Sequence, residues 1–118
     1  MATETNMSPK ICLLVIKSSD IDKARVFYEM LGFTFTDHKH SQTIHYASDD
    51  FGFPFEIYPV ANSVKNHVCI GFTVEDIEGF RTHLVGQGLD CSIISQSPFG
   101  TLFVTRDPDE NRVEIYGE

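Results

Sequence analysis

The tetrapeptides Phe55-Glu56-Ile57-Tyr58 and Val113-Glu114-Ile115-Tyr116 differ at a single residue and close the two halves of the chain, 58 positions apart. The chain is therefore one unit written twice. Asp20-Ile21, followed by Phe27 and Gly32-Phe33, returns 56 positions later as Asp76-Ile77, His83 and Gly88-Leu89. The two-residue slip between these offsets fits loops of unequal length inside a common unit. A solenoid needs about three or more repeats to bury a continuous core, so two copies point to one domain with pseudo-twofold symmetry. In such a domain equivalent residues are paired, which makes Glu56 and Glu114 the first candidates for a site.

Each half reads as β-α-β-β-β. Residues 11–16 are a short branched-apolar run suited to a strand. Ser19 or Asp20 can cap the segment that follows, and Ile21, Ala24, Phe27, Tyr28 and Leu31 recur at helical spacing up to Gly32, predicting a helix over 20–31. Residues 33–37, 43–47 and 53–59 carry strand patterns, separated by turns at 38–41 and 48–52. The second half predicts strands at 68–74, 91–95, 101–106 and 112–116, with a helix over 76–87 and a turn at Asp107-Pro108-Asp109-Glu110-Asn111. Helices covering one face of each sheet leave the other faces free to enclose a cavity. The expected fold is thus α+β, two tandem βαβββ modules (10–60 and 66–118) forming a half-open barrel with a central cavity. Residues 1–9 read as a disordered lead-in, without the basic and apolar regions of a signal peptide.

A net charge of −8 with no local basic cluster opposes phosphate neutralisation and excludes nucleic acid as a partner. No stretch approaches the roughly 20 apolar residues of a membrane-spanning helix, so no membrane partner is expected and a cytoplasmic location follows. Cys12, Cys69 and Cys91 are odd in number and lack CxxC spacing, against a disulfide framework or zinc knot. Cys12 and Cys91 read as small buried hydrophobes.

Alternation along strands places side chains on opposite faces. If Leu14, Ile16, Ile70, Phe72 and Val74 lie under the helices, then Leu13, Val15, Cys69 and Gly71 face the cavity. On the last strands Glu56, Tyr58, Arg112, Glu114 and Tyr116 face the same way. Glu114 has Arg112 or Arg106 within reach as an ion-pair partner. Inward glutamates on apolar strands are costly unless paired, metal-bound or wet. His45 sits mid-strand and either contacts a cavity ligand or points to solvent. His38 and His40 read as solvated turn residues, and His83 as a packing residue on the second helix. Phe51, Phe53, Phe99, Tyr58 and Tyr116 could line an aromatic pocket for a planar or amphipathic small molecule.

The motif from Asp20 through Phe27-Tyr28 to Leu31-Gly32-Phe33, together with Asp107-Pro108-Asp109-x-Asn111-x-x-Glu114, resembles the vicinal oxygen chelate superfamily, which includes glyoxalase I, bleomycin- and fosfomycin-resistance proteins and extradiol dioxygenases. The resemblance covers residues 10–118. It implies paired βαβββ modules, a homodimer, and either a divalent metal or simple sequestration of a small molecule. In metal-dependent members the ligands lie on the first and last strands of each module, which by position gives Leu13, Glu56, Cys69 and Glu114. Leucine cannot coordinate a cation, and completing the set with Cys69 or His67 gives a mixed or displaced site. Two readings follow. The first is a small-molecule-binding protein without a strong metal site or other cofactor, with Leu13, His45, Tyr58, His67, Cys69, Phe99, Arg112 and Tyr116 as ligand contacts; sequestration of cationic drugs is a subset. The second is a divalent-metal-dependent lyase, isomerase or dioxygenase using Glu56 and Glu114 as catalytic carboxylates. A dimerisation or sensing module is a third.

Overall fold

The computed structural model describes residues 8–40, 43–50, 52–61 and 68–118. Residues 1–7 of the expected lead-in, Phe51 and His67 lie outside them. The chain forms β1 (Leu14–Ser18), α1 (Ile21–Met30), β2 (Thr36–His40), β3 (Thr43–Ser48) and β4 (Phe55–Pro59), then β5 (Cys69–Val74), α2 (Ile77–Gly86), β6 (Ser95–Ser97), β7 (Gly100–Arg106) and β8 (Arg112–Gly117). The strands make two separate mixed sheets with the same order, β1-β4-β3-β2 and β5-β8-β7-β6. Neither closes into a barrel, which gives the expected half-open α+β arrangement of two βαβββ modules.

Both helices begin where a carboxylate satisfies orphan N–H groups. Asp20 accepts from the Lys23 N–H at 3.1 Å, and Asp76 from the Gly79 N–H at 3.0 Å. Gly79 allows that approach, because a Cβ there would meet the Asp76 carboxylate at 2.3 Å. Ala24, Phe27 and Tyr28 form the buried face of α1. The helix stops at Gly32, whose φ of 108° is open to glycine at little cost.

Several strand bounds differ from the sequence reading. β1 begins at Leu14 rather than residue 11, because its partner β4 is preceded by Pro54, which has no N–H to extend the ladder. Cys12 therefore lies before the first ladder pair and is exposed rather than buried. β2 begins at Thr36, since Phe35 is drawn into the core and the Thr34 N–H bonds the Asp50 carboxylate. His38 consequently lies in a strand, not a turn. Residues 91–94 are not a strand: Arg81 donates to the carbonyls of Ser92 (2.6 Å) and Cys91 (3.2 Å), and ladder pairing starts at Ser95.

One apolar core spans both modules, with Ile16, Phe55 and Ile57 from the first and Leu84, Phe103 and Ile115 from the second. Phe33 meets Phe72 across the junction at 5.2 Å between ring centroids. The polar link is the Asp107–Asn111 turn. Asp107 accepts from the Asp109 and Asn111 N–H groups, from the Asn111 amide at 2.8 Å, and from the Tyr28 hydroxyl at 2.7 Å. Burial, and then the Asp107 charge, push the Tyr28 hydroxyl's pKa far up, so it remains a donor. The Asp-Pro-Asp-x-Asn motif is thus a structural knot that ties the first helix to the second module. A cavity of about 380 Å³, lined by Leu31, Phe33, Phe72, Phe80 and Ile115, and another of about 320 Å³, lined by Leu14, Phe53 and Ile70, meet at Gly71 and Phe72 in the same junction.

Candidate functional site

Pairing in parallel register sets each repeated glutamate beside its first-strand partner. Val15 pairs with Glu56, and Gly71 with Glu114. The burial pattern follows the predicted parity: Ile16 and Ile70 are buried, whereas Leu13, Val15, Cys69 and Gly71 are exposed. Each sheet therefore presents an open face carrying one Glu-x-Tyr pair.

The two faces share a device. The Tyr116 hydroxyl donates to Glu114 Oε1 at 2.6 Å, two residues back on the same strand face. Tyr58 stands in the same relation to Glu56; its pKa is raised by desolvation and then by the neighbouring carboxylate. Strand spacing of about 6.6 Å over two residues lets a tyrosine reach back to that carboxylate. The surroundings then diverge.

On the second module Glu114 is fully engaged. Arg112 Nε donates to Oε2 at 2.6 Å and Tyr116 holds Oε1. The Tyr116 and Arg112 bonds hold the carboxyl below the ordinary carboxylate range. Burial and the Glu114 charge push the Cys69 thiol up, so it stays protonated and is a poor nucleophile. Gly71 leaves room for the Tyr116 ring, which would lie 3.6 Å from a Cβ there. Beside this cluster Arg112 lines a cleft of about 510 Å³ with Asp90, Ser92, Val104 and Arg106. A carboxylate held ionised in this way is ill suited to proton abstraction, for which a raised pKa is needed.

On the first module the neighbour is aromatic. His45, 0% exposed, lies parallel to Tyr58 with centroids 4.1 Å apart and planes at 8°. His38 stacks on its far side at 5.5 Å, and His45 Nε2 lies 3.9 Å from Glu56 Oε1. Three strands thus build a ladder of His38, His45 and Tyr58 with a carboxylate beside it. His45 shares the face of Glu56 and Tyr58 but is enclosed by its neighbours, so it neither points to solvent nor stands open. Its neighbour His38, legible in the sequence only as a turn residue, joins it through the cross-strand pair of β2 and β3.

Other expected contacts disperse. Leu13 is 50% exposed just ahead of β1, and Phe99 is 85% exposed at the tip of the β6–β7 hairpin. His83 is exposed, not packed, with its ring 6.4 Å from that of Phe80. Among the described residues no group of three or more His, Cys, Asp or Glu converges to hold a metal ion. Among the described candidates Leu13 lacks a donor atom and both Glu114 oxygens are already hydrogen-bonded, while His67 lies outside the described residues.

Comparison with known proteins agrees with this architecture. No curated protein sequence matches the chain. Among solved structures, a glyoxalase family protein from Enterococcus faecalis is 21% identical, covers 90% of this chain and 95% of its own, and superposes with a TM-score of 0.75. A bleomycin resistance determinant encoded on the transposon Tn5 is 16% identical, with coverage of 93% and 99% and a TM-score of 0.70. A bleomycin-binding protein solved in complex with bleomycin is 16% identical, with coverage of 94% and 99% and a TM-score of 0.68. At these identities the likeness is one of fold. The family model matches residues 10–115, and the chain belongs to the Glyoxalase/Bleomycin resistance protein/Dioxygenase superfamily.

Proposed function

We propose that this protein binds a planar, cationic small organic molecule on its open sheet faces, as a homodimer and without a metal cofactor. The observation that carries the reading is the engagement of both Glu114 oxygens by Arg112 and Tyr116. That carboxylate is neither a vacant metal ligand nor a base of raised pKa, so the metal-dependent lyase or dioxygenase chemistry loses its central group. The His38–His45–Tyr58 ladder offers the opposite: a stack that encloses His45 and leaves the exposed His38 ring at one end and the half-buried Tyr58 ring at the other, with Glu56 beside it. Such a stack attracts a planar cation through ring stacking and the ring quadrupole, and the chain's net charge of −8 draws cations toward it. The bleomycin-binding protein supports a binding role for this fold, since its structure holds bleomycin. Three free cysteines, two of them exposed, suit a reducing compartment such as the cytoplasm.

The test is calorimetric titration with proflavine and with bleomycin, alongside elemental analysis of protein purified without chelator. Saturable binding that weakens at least tenfold in Tyr58→Ala is expected. Stoichiometric divalent metal that disappears in Glu114→Ala would overturn the metal-free reading, and absence of binding to either probe would overturn the ligand reading.

A further inference from the structure

A second cleft, of about 510 Å³, lies on the helix-covered side between α1 and the Asp107–Asn111 turn. That volume falls within the roughly 300–1,000 Å³ of small-molecule sites. Residues 22–23, 26–27 and 30 share one stripe of α1 by helical periodicity, and this stripe faces the turn rather than sheet one. Val26, Met30, Leu89 and Pro108 supply apolar walls, and the exposed Lys23 and Arg106 complete the lining. Val26 is 50% exposed there, on the same stripe as the half-buried Met30.

Unused hydrogen-bond donors select the occupant. The acidic residues of the cleft are already committed: Asp22 accepts the Tyr46 hydroxyl, and Asp107 accepts four internal hydrogen bonds. The cations are less so. Arg106 Nη1 donates to the Glu110 carbonyl at 3.1 Å, which leaves the rest of its fork, and the Lys23 ammonium has no polar partner among the described residues. Lys23 also stands in the first turn of α1, where the helix dipole favours an anion.

We propose that this cleft binds an amphipathic monocarboxylate, its aliphatic tail against Val26, Met30, Leu89 and Pro108 and its carboxylate at Lys23 and Arg106. The site lies apart from the His38–His45–Tyr58 face and is opposite to it in charge preference, while Arg106 also borders the cleft beside Arg112. Calorimetric titration of the whole chain with octanoate tests it, with octyltrimethylammonium as the tail-matched cation. One-to-one octanoate binding is expected, at least tenfold tighter than the cation and weakened by salt. Lys23→Glu and Val26→Glu should each weaken it at least tenfold with an unchanged circular dichroism spectrum. Tyr58→Ala, on the open face, should leave it unaltered. The proposal is overturned by absence of saturable octanoate binding at millimolar concentration, by equal affinity for the two probes, or by octanoate binding that survives both cleft variants. Loss in Tyr58→Ala alone would overturn it by moving the carboxylate to the open face.

Discussion

Glu114 owes its character to two neighbours that differ in kind, a neutral hydroxyl and a guanidinium. Because its folded pKa is depressed, its contribution to stability is present above the ordinary carboxylate pKa of about 4.3 and is lost as pH falls through the folded value. Glu114→Gln should cost about 1 kcal/mol at pH 7, a modest figure because Arg112 is 44% exposed. Urea denaturation at a series of pH values should show that difference shrinking between pH 5 and pH 3. A difference that does not change with pH would mean that the ionised carboxylate is not what stabilises. Tyr28 makes a contrasting case, since its bond to Asp107 is buried and joins the modules. Tyr28→Phe should cost about 1–2 kcal/mol, whereas Asp107→Ala should cost about 3 kcal/mol or more by stranding the Tyr28 and Asn111 donors. Chemical denaturation of the two variants gives both values and their order.

The four edge strands are unequally protected. β6 has three residues, and β2 reads Thr-Asp-His-Lys-His, so shortness and polarity guard those edges. β1 and β5 read Leu-Val-Ile-Lys-Ser and Cys-Ile-Gly-Phe-Thr-Val, and each has a hydrogen-bonded neighbour on one side only. Unlike β2 and β6, they carry neither shortness nor a run of polar side chains as protection. Much of this was legible in the chain: the duplicated Glu-Ile-Tyr gave the two modules, and alternation along β1, β4, β5 and β8 gave the open faces. The strand ends were not legible, because they depend on which partner residue can donate, as at Pro54, and on side chains such as Arg81 that capture carbonyls from a distant segment. The aromatic ladder escaped for a related reason. His38 and His45 become neighbours only through the β2–β3 register, and a polar Asp-His-Lys-His sequence carries no alternating apolar signal of a strand. Placing a charge on the β1 edge should therefore disturb assembly more than folding. Val15→Lys should retain a native circular dichroism spectrum and a cooperative melt.

At the scale of the molecule, the same edges bear on assembly. The chain has a radius of gyration of 16.5 Å, against about 13.5 Å for a compact domain of this length. Its accessible surface is 7906 Å², against about 6,500 Å² for a monomer of 13.3 kDa. The excess of about 1,400 Å² includes the exposed segment ahead of β1. Val15, 36% exposed on β1, and Ile11 and Leu13, 76% and 50% exposed just ahead of it, give the start of that strand an apolar surface. An exposed apolar surface beside two open strand edges is the pattern of an interface, since solvating it costs about 25 cal/mol per Å² of apolar area. Light scattering behind size-exclusion chromatography should therefore give twice the 13.3 kDa chain mass for the wild type. Leu13→Lys combined with Val15→Lys should give the single-chain mass. A monomeric wild type would confine the site to one open face of one chain.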